Sequence, residues 1–516
     1  MTDQTRKKWI VTGLMLGLLL SAMDQTITAT AMPTIISNLG GMALYSWVFS
    51  IYMLTATSSI PIFGKLADLY GRRRIYLIGM GLFIIGSALC GLAGSMIQLV
   101  IFRGIQGVGA GALMPLAMTI IGDIFPPHQR GKIQGLIGAV FGISSIAGPF
   151  IGGFITEHFN WHWVFFVNLP LGILAAVILA YNLKEAKGAK EPVIDWAGAF
   201  TLTAAVICLL MITVFAGNNE ASGTYGWTSP QIITLIILSI VLTGLFIFIE
   251  KRAREPIIPL HLFKIRVISI SSIVGFFSAV GMFGAVTYIP LFAQGVIGVS
   301  PSIAGYILTP MMLSMVISST IGGILLTRFR LRPIMVFSMI CVSAGLFLLS
   351  QMTVNSNTLE IRLYMILLGI GMGPLMPILT VAVQDAVGFE QRGAATSTVT
   401  FFRMIGGALG VTILGTIMTA QMNEGLKSLS VTLTGISPDK LSMFNNAQSL
   451  LKPEIRSQMP PAVLEGVTQV LAKAINGVFA AGVIFVVVGL FFSFFMENKK
   501  IEKRDPAGTQ PGPSES

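Results

Sequence analysis

The sequence predicts an all-α membrane protein with fourteen membrane-spanning helices. Charged residues make up 11% of the 516 residues and hydrophobic residues 54%, whereas a soluble domain carries about 25% charged residues. The apolar residues gather into segments close to the length of about 20 residues that a bilayer requires. With soft ends, the predicted spans are residues 9–36, 45–64, 75–94, 97–121, 132–155, 163–183, 196–216, 230–249, 268–291, 302–326, 333–351, 361–383, 394–420 and 475–496.

The basic residues predict the orientation of these spans. Fourteen spans place both termini on one side of the membrane, and 25 of the 33 Lys and Arg residues fall on that side. Six lie opposite, five of them in one long loop, 421–474, while Arg103 and Arg403 lie inside spans. An excess of Lys and Arg in short loops marks the cytoplasmic side, so both termini should be cytoplasmic and the protein should lie in the cell membrane. Because the net charge of +11 is spread over many loops, it does not form a nucleic-acid-binding face.

An internal repeat predicts two parallel halves. Its two copies are offset by 262 residues, so that Gly107, Gly109, Gly111, Leu113-Met114-Pro115, Asp123 and Gln129-Arg130-Gly131 recur as Gly369, Gly371, Gly373, Leu375-Met376-Pro377, Asp385 and Gln391-Arg392-Gly393. Span 4 therefore corresponds to span 12, and span 5 to span 13. Parallel repeats with a site between them at the middle of the membrane are a transporter architecture.

The repeat also divides the chain into units. We expect a six-helix half over 1–183, a linker with inserted spans 7 and 8 over 184–266, a second six-helix half over 267–496 and a disordered cytoplasmic tail over 497–516. The second half contains the extracellular loop 421–474. Apolar residues recur at helical spacing near the end of this loop, at Val463, Val467, Val470 and Leu471. They fit an amphipathic helix lying on the outer surface and equally a solvated loop with one short helix.

Asp24 is the only carboxylate deep inside a long apolar segment. A charge at membrane depth costs several kcal/mol, so such a residue faces a protein interior or a water-filled cavity and is functional by default. A carboxylate there can exchange a proton, because burial and nearby cations shift its pKa in opposite directions. The alternative is a structural Asp paired with a buried arginine, and Arg103 in span 4 is the one basic residue deep within the first half.

The turn between spans 2 and 3 carries a second set of candidate residues, in the string Gly64-Lys65-Leu66-Ala67-Asp68-Leu69-Tyr70-Gly71-Arg72-Arg73-Arg74. Glycines permit a tight turn and close helix approach, and Asp68 can cap a helix and pair with the arginines. A basic anchoring loop is the simpler interpretation. The whole string resembles the loop motif of the major facilitator superfamily. The resemblance implies that Gly64, Asp68, Gly71, Arg72 and Arg73 brace the two halves in the outward-open state and release on inward opening.

Span 5 contains a stretch rich in small residues, Gly142-Ile143-Ser144-Ser145-Ile146-Ala147-Gly148-Pro149-Phe150-Ile151-Gly152-Gly153. Small residues at four-residue spacing allow helices to pack closely, and a proline bends the helix. The pattern resembles the antiporter motif of proton-coupled drug exporters in the same superfamily. The resemblance assigns Gly142, Gly148, Pro149, Gly152 and Gly153 to that motif.

Three further strings resemble the fourteen-span drug:proton antiporter branch, of the quaternary-ammonium and multidrug efflux type. They are Met23-Asp24-Gln25-Thr26 with Pro33, Trp161-His162-Trp163-Val164-Phe165-Phe166-Val167-Asn168-Leu169-Pro170, and Phe402-Arg403-Met404-Ile405-Gly406-Gly407. The likeness covers nearly all of 9–420 and the last span. Two departures are His162, where the branch usually has Arg, and a span 10 without an acidic residue. The second departure counts against efficient export of divalent cations.

Two histidines raise the question of a metal site. His158 and His162 are four residues apart, the spacing of two ligands on one helix. Only Glu157 could act as a third ligand, and histidines beside Trp161 and Trp163 fit an aromatic belt at the membrane surface equally well. We therefore expect no metal site.

Together these features predict a proton-coupled antiporter that exports amphipathic, drug-like compounds by alternating access. Asp24 and Arg103 are the expected proton-coupling and substrate residues, and Arg403, Asp123 and Arg130 are expected to have structural or coupling roles. We expect no cofactor besides the proton gradient, no nucleic acid partner, and a monomer in the lipid bilayer. An exporter of a lipid or native metabolite is the alternative. A membrane-embedded enzyme is disfavoured, because no nucleophile–base or metal constellation is evident.

Overall fold

The fold is a bundle of long helices. The computed structural model describes residues 3–39, 44–184, 195–215, 225–299, 306–432 and 461–498. Within these ranges the fourteen long helices are Asp3–Leu39 (α1), Tyr45–Tyr70 (α2), Arg72–Gly91 (α3), Met96–Ile124 (α4), Pro127–His158 (α5), Trp163–Asn182 (α6), Trp196–Phe215 (α7), Pro230–Glu250 (α8), Arg266–Phe292 (α9), Thr309–Arg328 (α10), Leu331–Ser350 (α11), Thr358–Asp385 (α12), Arg392–Thr432 (α13) and Pro461–Ser493 (α14). Helix α6 is divided at Val167 into Trp163–Phe166 and Asn168–Asn182.

Thirteen of these helices are long and apolar enough to cross a membrane. The remaining one, α5, has several side chains outside the described set and contributes the shorter apolar stretch Ile133–Ser144. The predicted all-α membrane architecture is thus confirmed, and the chain is a multi-pass membrane protein.

The helices α13 and α14 extend beyond the predicted spans, to Thr432 and from Pro461. Much of the predicted loop 421–474 is therefore helical, and the described part of this segment contains no separate surface helix. Val467 and Leu471 are fully buried, because the apolar stripe of the first turns of α14 packs against the last turns of α13. The middle of that loop, 433–460, and the predicted disordered tail from 499 onward lie outside the described residues.

The two copies of the repeat pack in the same way. In α4, a Cβ at Gly107 or Gly111 would overlap the backbone of α2, and one at Gly109 would overlap α3. In α12, Gly369 and Gly373 approach α10 in the same way and Gly371 approaches α11. Each central helix is thus held between two neighbours by close backbone contacts that only glycine allows.

The inserted helices α7 and α8 pack on one side of the two halves. The apolar cluster that holds them combines Leu202 of α7 and Phe246 of α8 with Leu54 of α2 and Phe401 of α13. The insertion therefore contacts both halves.

Four arginines gather at one end of the bundle, where each donates a hydrogen bond to a backbone carbonyl at a helix C-terminus. The pairs are Arg6 with Asn182 (2.6 Å), Arg73 with Ala180 (2.6 Å), Arg266 with Phe495 (2.6 Å) and Arg332 with Met496 (2.8 Å). Such bonds satisfy carbonyls that the helix leaves unpaired. We call this end the basic end of the bundle.

Candidate functional site

Asp24 lies inside the first half, where α1 meets α4 and α6. Its side chain is 1% exposed, and Arg103 Nη1 lies 2.5 Å from its Oδ2 atom. The structure therefore brings together the two residues that the sequence singled out. Separating such a pair by removing one partner costs about 3–5 kcal/mol, because the other charge is left buried and uncompensated.

Two amides complete the environment of the Asp24 carboxylate. Gln106 Nε2 donates to Oδ1 at 2.8 Å, and Asn168 Nδ2 donates to the same atom at 3.0 Å. Asn168 Nδ2 also donates to Ser87 Oγ at 3.0 Å. The carboxylate is thus bound by donors from two other helices, so that its charge stabilises the packing of α1 against α4 and α6.

Arg103 is bound on more than one side. Its Nη1 atom donates to Gln106 Oε1 at 2.8 Å, and its guanidinium lies 4.2 Å from the centre of the Tyr52 ring. Its Nε atom donates to the Val48 carbonyl at 3.4 Å. The Nη2 atom is buried without a hydrogen-bond partner among the described residues. The site is therefore a buried acid–base pair enclosed by polar and aromatic side chains of the first half.

A second polar cluster lies at the basic end and joins the two halves. Asp68 Oδ1 accepts the backbone N–H of Gly393 at 3.0 Å, and Oδ2 accepts that of Ala394 at 2.7 Å. The carboxylate thus caps the N-terminus of α13, where the helix dipole favours a negative charge. Arg72 Nη2 lies 2.9 Å from the same Oδ1 atom. Gly71, with φ 97°, makes the turn that starts α3 at Arg72.

Asp123 extends this cluster across the boundary between the halves. It pairs with Arg72 of its own half and, at 3.2 Å, with Arg392 of the other. Arg130, the repeat counterpart of Arg392, lies 3.4 Å from Gln384 Oε1 in the other half and 2.5 Å from the Gly122 carbonyl. The two equivalent arginines thus reach across the boundary at the basic end, which these contacts hold closed.

Gly64 permits the close approach of α2 to α13 at this end. A Cβ on Gly64 would overlap the Ser397 side chain and come within 3.0 Å of the Gly393 carbonyl. Of the loop-motif residues, Arg73 does not join the halves, since it binds Ala180 of its own half.

The small residues of α5 divide into two groups. A Cβ on Gly148 would overlap the Thr26 hydroxyl of α1, and one on Gly152 would lie 3.0 Å from the Ile27 carbonyl. Gly142 and Gly153 have no such neighbour within 4 Å among the described residues. One face of the motif therefore packs against the segment of α1 that follows Asp24. The side chain of Pro149 is outside the described set.

The two histidines do not share a helix. Helix α5 ends at His158, and His162 lies in the turn before α6, stacked on Trp161 at 3.8 Å between ring centres. The four-residue spacing therefore does not place two ligands on one helical face. His158 Nδ1 is 3.1 Å from the Phe154 carbonyl, and His162 Nδ1 is 2.6 Å from Asn160 Oδ1.

Sequence reasoning missed Gln106, Asn168 and Ser87 as members of the Asp24 site, and Gln384 at the basic end. All four are fully buried polar residues inside long apolar helices. Their polarity within apolar spans was the available signal, since Gln106 lies one helical turn from Arg103. Which polar residues meet Asp24 depends on how α3, α4 and α6 pack.

Comparisons with known proteins agree with this architecture. A sequence model of the Major Facilitator Superfamily matches residues 14–411. Multidrug transporter protein MdtP of Bacillus subtilis (strain 168) is 40% identical over 518 residues, covering 97% of this chain and 95% of that protein. Multidrug resistance protein 3 of the same organism is 40% identical over 500 residues, covering 97% of each.

Solved structures show the same fold at low identity. The proton:xylose symporter XylE bound to 6-bromo-6-deoxy-D-glucose matches with a TM-score of 0.59 and 14% identity, over 95% of this chain and 96% of that chain. On the family match and the two similar transporters, this chain belongs to the Major Facilitator Superfamily, as a transporter of its multidrug efflux branch and not an enzyme.

Proposed function

We propose that the protein is a proton-coupled antiporter that exports amphipathic, drug-like compounds across the cytoplasmic membrane. The proposal is based on the position of Asp24, whose carboxylate is buried in the middle of α1 and is bound by Arg103, Gln106 and Asn168. Among the described residues it is the one acid far from either end of a membrane-spanning helix. The proposed transport uses the proton gradient and no cofactor. A monomer suffices for it, because one chain contains both halves.

Proton binding at Asp24 supplies the coupling. The ionised carboxylate holds α1 against α4 and α6, whereas a protonated carboxyl group no longer balances the charge of Arg103. The packing of α1 against its neighbours therefore differs in free energy between the two protonation states. Since α1 also packs on Gly148 and Gly152 of α5, a proton on Asp24 acts on two helices of the first half.

Alternating access requires the contacts at the basic end to form and to break. That end is closed by contacts of Asp68, at the end of α2, and Asp123, at the end of α4, with the start of α13. The distribution of Lys and Arg supports a cytoplasmic basic end and cytoplasmic termini. On this orientation the structure is closed towards the cytoplasm, and inward opening requires the Asp68 cap on α13 to break.

The substrate class rests on the relatives, whose names describe a multidrug transporter and a multidrug resistance protein. Ethidium, an amphipathic cation, is a suitable probe. Inside-out vesicles from cells that make the protein should accumulate unmodified ethidium when their interior is acidified, and nigericin should abolish the accumulation. Accumulation that persists without a proton gradient would contradict proton coupling, and chemical alteration of the dye would contradict a transport function.

A lipid or native metabolite remains the second candidate substrate. It is favoured by a groove of about 530 Å³ between α10 and α12, lined by Tyr306, Leu313, Ile317 and Arg362. The groove is apolar with one cation, which suits an acyl chain beside an anionic headgroup. Proton-driven movement of a fluorescent phospholipid in the same vesicles, without movement of ethidium, would favour this candidate over drug export.

A further inference from the structure

Arg403 is a buried cation in α13 that the proposed proton step does not use. Its side chain is 8% exposed, and it lies eleven residues from the start of the helix at Arg392. An arginine at this depth is costly unless it is paired with an anion or performs a function. The contacts of the Arg403 guanidinium therefore indicate whether it is paired with an anion or is available to bind one.

The described partners of Arg403 are two methionine thioethers. Nη1 lies 2.7 Å from Met376 Sδ, and Nη2 lies 3.8 Å from Met114 Sδ. A thioether is only a weak acceptor. In the described part of the chain, no carboxylate lies within 4.0 Å of the Arg403 guanidinium. Arg103, in contrast, has Asp24 at 2.5 Å.

The two methionines place Arg403 at the boundary between the halves. Met114 of α4 and Met376 of α12 are equivalent positions of the internal repeat, so a group between them lies close to the axis that relates the halves. One turn further along, the equivalent residues Met118 and Thr380 are also in contact, 3.7 Å apart. Transporters built from repeats bind their substrates at the repeat interface near the middle of the membrane.

The repeat itself does not require a cation here. The position equivalent to Arg403 in the first half is Phe141 of α5. Phe141 packs against the core of the first half, so only the second copy of this position carries a guanidinium. Flexible methionine side chains adapt readily to different groups that enter between them.

We infer that Arg403 is an anion-binding subsite on the transport route, which binds a carboxylate or phosphate group of an amphipathic substrate. This inference rests on the proposed export function and makes its substrate class more specific. An oxyanion would replace the weak thioether contacts by charge-assisted hydrogen bonds, and the planar guanidinium can bind both oxygens at once. The anion site and the proton site would then be separate, with Arg403 in the second half and Asp24 in the first.

A matched pair of dyes tests the inference. Tetramethylrhodamine carries a free carboxylate, and its methyl ester differs by one methyl group that removes the negative charge. Fluorescence anisotropy gives the Kd of each dye for the purified full-length protein in detergent. Arg403→Gln should lower the preference for the acid over the ester at least about tenfold, and Arg403→Lys should retain most of it. Arg252→Gln is the control with the same charge change, because Arg252 is exposed and stacks on Phe248.

The outcomes separate this inference from the proposed function. Equal effects of Arg403→Gln on both dyes, or no effect, would overturn the inference, and proton-driven transport of the ester would still support export. An Arg403-dependent preference for the acid without proton-driven transport of either dye would support the inference and overturn the proposed function. A second pair, fluorescent phosphatidic acid and diacylglycerol with the same chains, identifies the source of the anion. A preference confined to phosphatidic acid would support a lipid headgroup as the oxyanion.

Discussion

Replacing Asp68 by asparagine should weaken the closure of the basic end by a calculable amount. Asp68 accepts two backbone N–H groups of α13, from Gly393 and Ala394. Asparagine offers one carbonyl oxygen and places an NH₂ group where the other acceptor was. One of the two hydrogen bonds between the halves is therefore lost, and the other is no longer charge-assisted. The ion pair of Asp68 with Arg72 lies within one half, so its loss is not counted as the loss of a contact between the halves.

The lost bond alone sets the minimum shift to be expected. A hydrogen bond to a charged group contributes about 1.5–3 kcal/mol. Taking about 2 kcal/mol, the equilibrium between the closed and open basic end should shift roughly 30-fold towards open. The substrate site lies near the middle of the membrane, so substrate should still bind while turnover falls.

Distances between spin labels measure this shift. The labels go on Arg74→Cys and Glu390→Cys, two exposed positions on opposite halves at the basic end, with the three buried native cysteines replaced by alanine. In Asp68→Asn the long-distance population should rise. Asp385→Asn is the matched control, since the Asp385 side chain has no hydrogen bond or ion pair in the part of the chain that the structure describes. An unchanged distance distribution in Asp68→Asn, or loss of substrate binding in the folded variant, would contradict the role of Asp68 in closing the basic end.

Three further predictions concern packing, the buried pair and topology. Gly148→Val should lower the stability in detergent by about 1–3 kcal/mol, because the new side chain would overlap α1. Gly153→Val should not lower it, and equal effects of the two substitutions would contradict the packing assigned to α5. Arg103→Met should destabilise the protein by about 3–5 kcal/mol; more than half of this loss should be recovered on adding Asp24→Asn, and additive losses would argue against their coupling. Reporter fusions at the C-terminus and at position 445 should lie on opposite sides of the membrane; finding both on one side would overturn the topology.

The centres of the helices could be predicted from sequence, whereas several helix ends could not. Long apolar runs mark the membrane-spanning part of each helix, because a bilayer requires them. The extensions of α13 and α14 are amphipathic, and Val467 and Leu471 become core residues only because a second helix covers them. Their pattern alone fits a surface helix equally well.

The charged residues of the candidate site could be predicted, because charges are rare inside apolar segments. Asp24 and Arg103 stand out because each is a charge deep inside an apolar segment, and an unpaired charge there is costly. Asn168 and Gln106 were missed because their roles depend on helix packing. A helix cap and a pairing with the arginines were predicted for Asp68, but the helix that it caps was not. The capped groups are the backbone N–H groups of Gly393 and Ala394, and a backbone group has no residue signature.

The role of Asp24 in proton coupling is tested by measuring proton-driven transport in Asp24→Asn. Purified wild-type and variant proteins are reconstituted in vesicles, and uphill accumulation of ethidium under an imposed proton gradient is compared with exchange of ethidium without a gradient. We expect Asp24→Asn to lose uphill accumulation but still catalyse exchange, and Asp24→Glu to keep part of the uphill activity. Normal uphill accumulation by a folded Asp24→Asn variant would contradict the role assigned to Asp24.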